Sequence, residues 1–264
     1  MKHLTGFLAL FLCAALPLYA AGLDDLTYTT TGAEVTITDC DTDATGELVI
    51  PDTIEGNPVT GIGRAAFENC ASLTSITIPG SVTSIGDFAF NRCRSLTSMT
   101  IPDSVTSIGV LAFQSCSALT NVNIPDTVTS IANGTFQYCS SLTSIAIPDS
   151  VTTIGQNAFL GCSSLTSVTI PDSVTTIIQS AFFNCSSLTS VTIGNSVTSI
   201  PVNAFRGCSS LTSIAIPDSV TSIERLAFYD CTSLASITFN GPVPTTLGEN
   251  IFSNIAAGAV VLVS

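Results

Sequence analysis

Cysteine stands at positions 70, 93, 116, 139, 162, 185, 208 and 231, always 23 residues apart. Thiols at a fixed spacing are the residues with the most chemistry to offer here: disulfide formation, metal ligation or nucleophilic attack. Zinc-type ligation wants Cys-x-x-Cys pairs or histidines, and the chain has no such pair. Nucleophilic catalysis by Ser or Cys needs an imidazole near neutral pKa, yet the single histidine is His3, in a leader segment expected to be removed. The single lysine, Lys2, leaves with it, and with it any Schiff-base chemistry. Paired carboxylates of the glycosidase kind remain formally open. A cysteine at the same place in every unit reads instead as a small apolar residue at an inward corner. With Cys40 the mature chain keeps nine of its ten cysteines, so at least one stays unpaired within the chain. The expectation is a buried ladder of free thiols; bridging between neighbours is the alternative, open only where Cα atoms approach about 5.5 Å.

Carboxylates are the other candidates. Asp103, Asp126, Asp149, Asp172 and Asp218 recur in Ile-Pro-Asp-Ser-Val, where stacked acids would suit calcium. A Pro-Asp-Ser turn also uses Asp for ordinary local hydrogen bonding, and Gly80 and Asn195 replace it without compensation. The run Asp39-Cys-Asp-Thr-Asp-Ala44 has the spacing of a calcium loop's start, but Ala44 stands where that loop wants Gly and Ile50 where it wants Glu. Both features are expected to be turns, and no metal or cofactor is expected.

Composition narrows the function classes. The first residues, basic at Lys2 and His3, apolar from Leu4 to Leu18 and small at Ala20-Ala21-Gly22, read as a secretory signal peptide cut after Ala20 or Ala21. The rest carries five arginines against all 19 acidic residues, too few cations to grip a phosphate backbone, so neither nucleic acid nor an anionic membrane is an expected partner. The 45% hydrophobic content comes from Ile and Val alternating with Ser and Thr, with no run after the leader near the ~18 residues of a spanning helix.

The elements that position these residues follow from the period. Leucine keeps it from Leu73 to Leu234 and phenylalanine from Phe67 to Phe228, so the repeat is the fold. In Leu-Thr-Ser-Ile-Thr-Ile, Ile76 and Ile78 point one way and Ser75 and Thr77 the other, as in a strand. Pro79 breaks it, Val82 and Ile85 form a second short inward pair, and Ile85, Ala89 and Cys93 at i, i+4 and i+8 suggest one or two helical turns. One such coil cannot bury enough to offset its own ordering; stacking is required. The expected architecture is an α/β solenoid: a curved, right-handed coil of 23-residue repeats, with a parallel strand face and a short helical or 3-10 arc opposite. The expected divisions are signal peptide 1–21, N-terminal cap 22–45, repeat array 46–239 and C-terminal cap 240–264. In the first cap Leu26 to Cys40 reads as a strand pair around Gly32-Ala33; the first coil is stretched by a loop at Glu55-Pro58, and Ala259 to Val263 supplies a last strand.

The unit Cys-x-x-Leu-Thr-Ser-Ile-x-Ile-Pro-x-Ser-Val-Thr-Ser-Ile-Gly-x-x-Ala-Phe resembles the BspA-like, or treponemal-type, leucine-rich repeat, over Gly46 to about Phe252. The resemblance implies a bacterial surface or secreted solenoid, in a family some of whose members are adhesins for host matrix proteins. One departure from the general leucine-rich pattern is that Ser81, Ser104, Thr127, Ser150, Ser173, Ser196 and Ser219 stand where Asn or Cys serves a turn amide.

The strand face is the default ligand surface of such a solenoid. Its candidate binding residues are Ser98, Thr100, Asn121, Asn123, Ser144, Ser167, Thr169, Ser190 and Thr192, with the Asn121/Asn123 coil the one that differs in type. The arc carries the individuality: Phe88, Leu111, Tyr138, Leu160, Phe183, Leu226 and Tyr229, with Arg92, Arg94, Arg206 and Arg225. The functional expectation is a secreted or cell-surface, non-catalytic recognition or adhesion protein for an extracellular protein or glycan. The alternatives are a spacer without a dedicated ligand and an ice-binding Thr array.

Overall fold

A computed structural model describes residues 21–263; the expected signal peptide lies outside them, apart from Ala21. The alternation in Leu-Thr-Ser-Ile-x-Ile becomes strand after strand, each stacked on its equivalent one coil away. Gly46–Val49, Leu73–Thr77, Ser98–Met99 and Asn121–Val122 form one parallel ladder, Ser167–Thr169 pairs with Ser190–Thr192, and Ser213–Ile216, Ser236–Phe239 and Val260–Val263 form a third. The Val-Thr-Ser-Ile segments build a second row of two-residue strands, such as Ser84–Ile85 on Ser107–Ile108 and Thr153–Ile154 on Thr176–Ile177. Register is exact to the repeat: Ser167 lies opposite Ser190, and Thr169 opposite Thr192. Every Ile or Val between those polar residues is buried, because a pleated strand sends neighbours to opposite faces.

The interior consists of columns. Eight phenylalanines from Phe67 to Phe228, each with no exposure, stack ring on ring, and Phe252 extends the column. Ring centroids lie 5.2 to 5.6 Å apart with planes within 13° of parallel. Strands in a ladder are about 4.8 Å apart, so centroids at this wider spacing are offset, the arrangement aromatic quadrupoles favour. Beside the rings run columns of Ala, Cys, Leu, Ile and Val, each buried residue stabilising by about 1.5–3 kcal/mol when it is Leu-sized.

The arc is not helical, which corrects the expectation of α or 3-10 structure there. The one 3-10 helix among the described residues, Leu23–Asp25, lies before the first coil. The reason is in the backbone. Two positions per coil are left-handed: the residue two before the conserved Phe, as in Ala65, Phe88, Leu111, Asn157 and Leu226, with φ between 57 and 61°, and the residue two after it, as in Asn69, Arg92, Tyr138, Asn184 and Asp230, with φ between 57 and 66°. A right-handed helix cannot pass through such residues. Hydrogen bonding alternates accordingly. The amides of Ala66, Glu68 and Cys70 donate three residues back, to Gly63, Ala65 and Phe67. Those of Ala65, Phe67 and Asn69 donate to Asp87, Ala89 and Asn91 in the next coil. Half of the arc's amides therefore tie coil to coil, which a helix, closed on itself, cannot do. The fold is a β-solenoid with a wall of turns.

Both ends depart from the 23-residue period. Leu26–Thr31 pairs antiparallel with Glu34–Cys40 around Gly32, and Glu34–Cys40 continues into parallel pairing with Asn57–Ile62. Thr53–Ile54 and Asn57–Pro58 close a hairpin whose Glu55 and Gly56 have φ of 52 and 80°, the two positive values that a tight primed turn requires. At the other end Ser222 pairs with Thr246 and Ser236 with Val260, an offset of 24 residues.

Candidate functional site

The solenoid's hydroxyls fall into columns that serve different ends. Thr97, Thr120, Thr143, Thr166 and Thr189 each donate through Oγ1 to the carbonyl of the equivalent Thr one coil earlier, at 3.0 to 3.4 Å. Thr83, Thr106, Thr152, Thr175 and Thr221 do the same on the second strand row, at 3.2 to 3.4 Å. At the Pro-x-Ser turn, Ser81, Ser104, Thr127, Ser150 and Ser219 donate to the Val carbonyl 22 residues back, with short bonds of 2.5 to 2.7 Å. The hydroxyl at this position thus serves a carbonyl of the preceding coil rather than a turn amide. The series lapses at Ser173, whose buried Oγ has no partner among the described residues.

The strand-face column next to these behaves differently. Ser98, Thr100, Asn121, Ser144, Ser167, Thr169, Ser190 and Thr192 are all exposed. Among the described residues none of their side chains makes a hydrogen bond within the chain, so donors and acceptors face outward in register. Asn123 is the exception among the expected site residues. Its Oδ1 accepts from Ile101 N and its Nδ2 donates to Ile101 O, both at 2.8 Å, so its amide stands in for a main-chain ladder pair. Of the two residues that differed in type, Asn123 is therefore committed to structure and Asn121 is not. Ser144 is also set apart: its coil has no strand at 143–147, and the Thr143 amide reaches Thr120 O at 3.4 Å where Thr120 N reaches Thr97 O at 2.9 Å. The structure places Ser98 beside Asn121, and Ser167/Thr169 beside Ser190/Thr192, as two patches with Ser144 between them.

Two grooves open at the ends of these strands. One, of about 450 Å³, lies between the coils of Ser75–Gly80 and Ser98–Pro102; the other, of about 420 Å³, lies between Thr169–Ser173 and Thr192–Asn195. Each adjoins a turn where glycine interrupts Pro-Asp, at Gly80 and at Gly194. A Cβ on Gly194 would overlap the carbonyl of Pro171, so the close approach there requires glycine. Sequence reasoning noted Gly80 and Asn195 in place of the Asp, but neither Gly194 nor the grooves beside these turns.

Two of the candidate acids accept from main-chain amides, Asp172 across to the next coil and Asp41 within its own turn. Asp172 Oδ1 accepts from Asn195 N at 2.7 Å, and Asp41 Oδ1 from Asp43 N at 2.9 Å. Among the described residues no three His, Cys, Asp or Glu side chains converge as a metal site. The nine cysteines among the described residues are free and buried, and Sγ of Cys93 through Cys231 donates to a Phe carbonyl 26 residues earlier at 3.0 to 3.3 Å. Burial pushes the Cys185 and Cys231 thiols up to about 12, and those of Cys139, Cys162 and Cys208 well above the ordinary range. A thiol held protonated is a poor nucleophile and a poor ligand.

On the arc, the position after the conserved Phe runs Glu68, Asn91, Gln114, Gln137 and then Leu160, Phe183, Arg206, Tyr229. In the first half Asn91 donates to Glu68 at 2.8 Å. In the second the Arg206 guanidinium lies over both the Phe183 and the Tyr229 rings, 5.4 and 4.9 Å from their centroids.

The comparisons with known proteins follow this geometry. The family described as BspA type leucine rich repeat region (6 copies) matches residues 60–188 and 129–258. Among solved structures the chain is similar to a leucine-rich repeat protein of T. pallidum, at 30% identity, covering 73% of this chain and 90% of that one with a TM-score of 0.66. It is also similar to a leucine rich cell surface protein from Faecalibacterium prausnitzii, at 27% identity over 91% of this chain and 93% of that one, with a TM-score of 0.40. Comparison with curated proteins gave no match.

Proposed function

This chain belongs to the BspA-type leucine-rich repeat family, and from that premise we propose that it is a secreted or cell-surface bacterial recognition protein that binds an extracellular protein or glycan without acting on it chemically. The observation that carries this reading is the contrast between hydroxyl columns. Three columns are spent on bonds between coils, whereas the exposed strand-face side chains other than Asn123 have no hydrogen-bond partner among the described residues and repeat their chemistry at the register of the coils. A partner with its own repeat, such as a polysaccharide or an extended matrix polypeptide, matches such a lattice through many individually modest hydrogen bonds. The face has no Trp, Tyr or Arg anchors of the kind that concentrate binding energy at compact protein interfaces, which favours an extended ligand. Secretion rests on the leader sequence, and in the described residues no helix is long and apolar enough to cross a membrane.

The test is an array of polysaccharides and matrix polypeptides probed with the chain from Gly22 onward. Binding is expected to weaken at least about tenfold in Ser167→Ala/Ser190→Ala, equivalent to about 1.4 kcal/mol. Silence across the array, or binding unchanged by those substitutions, would contradict the reading.

A further inference from the structure

We propose that the arc carries a second docking surface, independent of the strand face, for a protein segment presenting a carboxylate side chain next to apolar ones. Charge segregation points there first. Between Ser104 and Ile223 the only acidic residues are Asp126, Asp149, Asp172 and Asp218, all in the Pro-Asp turns and exposed, so the arc of those coils has no acid; the next acids, Glu224 and Asp230, lie in the coil of Tyr229, where Glu224 accepts from the Val202 amide. On a chain with a net charge of −13, that stretch of arc is neutral except for one cation, Arg206. The single ion pair among the described residues is Arg64–Asp87, far along the chain, and Arg206 has no carboxylate partner there.

The setting of Arg206 is the second observation. Its guanidinium is stacked between Phe183 and Tyr229, with Leu160 one coil further on, in a continuous half-buried column. Ring contacts occupy the faces of the guanidinium, while its N–H donors lie in its own plane, suited to a two-pronged bond with a carboxylate. The side chain is ordered before any partner arrives, which removes part of the cost of binding. Tyr and Arg held this way are the residues that dominate protein interfaces. A uronic or sulfated glycan offers the same anionic group but has less use for the apolar Leu160–Phe183 flank, so the observations favour a protein.

Tyr138 adds a third. It is 48% exposed and holds φ of 60°, at a position filled in four of the other seven coils by Asn or Gly, residues that adopt this conformation more readily, and in the rest by Arg92, Ser115 and Asp230. Its ring lies over Gly161 of the next coil, where a Cβ would come within 2.6 Å of it. A bulky exposed ring kept at a strained position, with a glycine beneath it, extends the column's apolar surface toward the first half of the arc.

The experiment uses the chain from Gly22 onward on a synthetic array of Glu-Leu peptides, their Gln-Leu counterparts and Lys-Leu peptides, with polygalacturonate as a soluble competitor. Glu-Leu peptides are expected to bind about tenfold better than Gln-Leu ones, and Arg206→Gln to erase that preference while the chain stays folded, with a melting temperature lowered only by the loss of its ring contacts. Tyr138→Asn, which suits the left-handed backbone, is expected to weaken binding while the fold is retained. Ser167→Ala/Ser190→Ala is expected to leave it unchanged, which separates this surface from the strand face. Absence of peptide binding, equal binding of Glu and Gln peptides, a preference that survives Arg206→Gln, or binding to polygalacturonate alone through Arg206 would each overturn the proposal, the last by making the partner a glycan.

Discussion

The strand face and the arc are made by the same coils, yet one repeats itself and the other does not. Along the strand face the first outward residue is Ser in every coil from Ser75 to Ser236 but Asn121, and the second is Thr except at Asn123, Ala146 and Ala215. Along the arc the residue after the conserved Phe changes from Glu68 and three amides to Leu160, Phe183, Arg206 and Tyr229. The difference lies in what each backbone permits. A parallel ladder demands alternation and register, so its surface tends to a lattice. The arc's turns demand only a left-handed residue twice per coil, and outside those positions the side chain is free to vary. The lattice suits a repeated partner, and the irregular arc suits an individual one.

The largest expected effect separates the arc's inner wall from the strand face by titration. The folded state holds Cys185 and Cys231 protonated to about pH 12, whereas an unfolded thiol ionises near 8.5. Folding stability from this source is fully present below about pH 8.5 and falls as pH rises toward 12, by about 1.4 kcal/mol per pH unit for each thiol. Several buried thiols shift the same way, so an alkaline unfolding transition is expected, delayed to higher pH in Cys162→Ala/Cys185→Ala once its neutral-pH stability is matched with denaturant. Serine and threonine on the strand face do not titrate and do not contribute.

Next comes the aromatic column. Phe159→Ala is expected to cost about 3–5 kcal/mol in urea melts, because neighbouring coils held in register by hydrogen bonds cannot collapse into the cavity. Smaller again is Gly161→Ala, expected to cost about 1–2 kcal/mol from its φ of 71° alone, with part of any further loss recovered in the double variant with Tyr138→Ala. A loss unaffected by Tyr138→Ala would show that the ring does not rest on Gly161. The finest contrast is between two serines of one coil. Ser150→Ala leaves the Val128 carbonyl unpaired and is expected to cost about 1 kcal/mol, while Ser144→Ala on the strand face is expected to stay within about 0.5 kcal/mol.

Much of this was legible in the residues. The 23-residue spacing of Cys, Leu and Phe announced stacked coils, and the alternation around Ile76 and Ile78 told inward from outward. The strand pair at Leu26 to Cys40 and the last strand at Val260–Val263 were also readable, the first from the turn at Gly32-Ala33 and the second from its apolar run. The arc misled because Ile85, Ala89 and Cys93 are indeed all buried at spacings of four; two successive turns produce that spacing as well as a helix does. The left-handed positions were hidden because Phe88, Leu111, Arg92 and Tyr138 occupy them alongside Asn and Gly. Asn123 misled for a different reason: a polar residue on an outward face reads as available until its hydrogen bonds to Ile101 are seen. The stack of Phe183, Arg206 and Tyr229 was visible as a column of types, but not as a sandwich, because side-chain direction on a turn has no period to read.

The central claim is that the strand-face hydroxyls, unlike their neighbours, are kept for something outside the chain. The most direct test measures stability and ligand binding together on Ser98→Ala/Ser167→Ala/Ser190→Ala, using whichever polysaccharide or matrix polypeptide the array returns for the parent chain. The account predicts a melting curve within about 1.5 kcal/mol of the parent and binding weakened at least about tenfold. Binding retained in full, or a loss of stability as large as that of three Ser150-type substitutions, would show that these hydroxyls serve the fold instead.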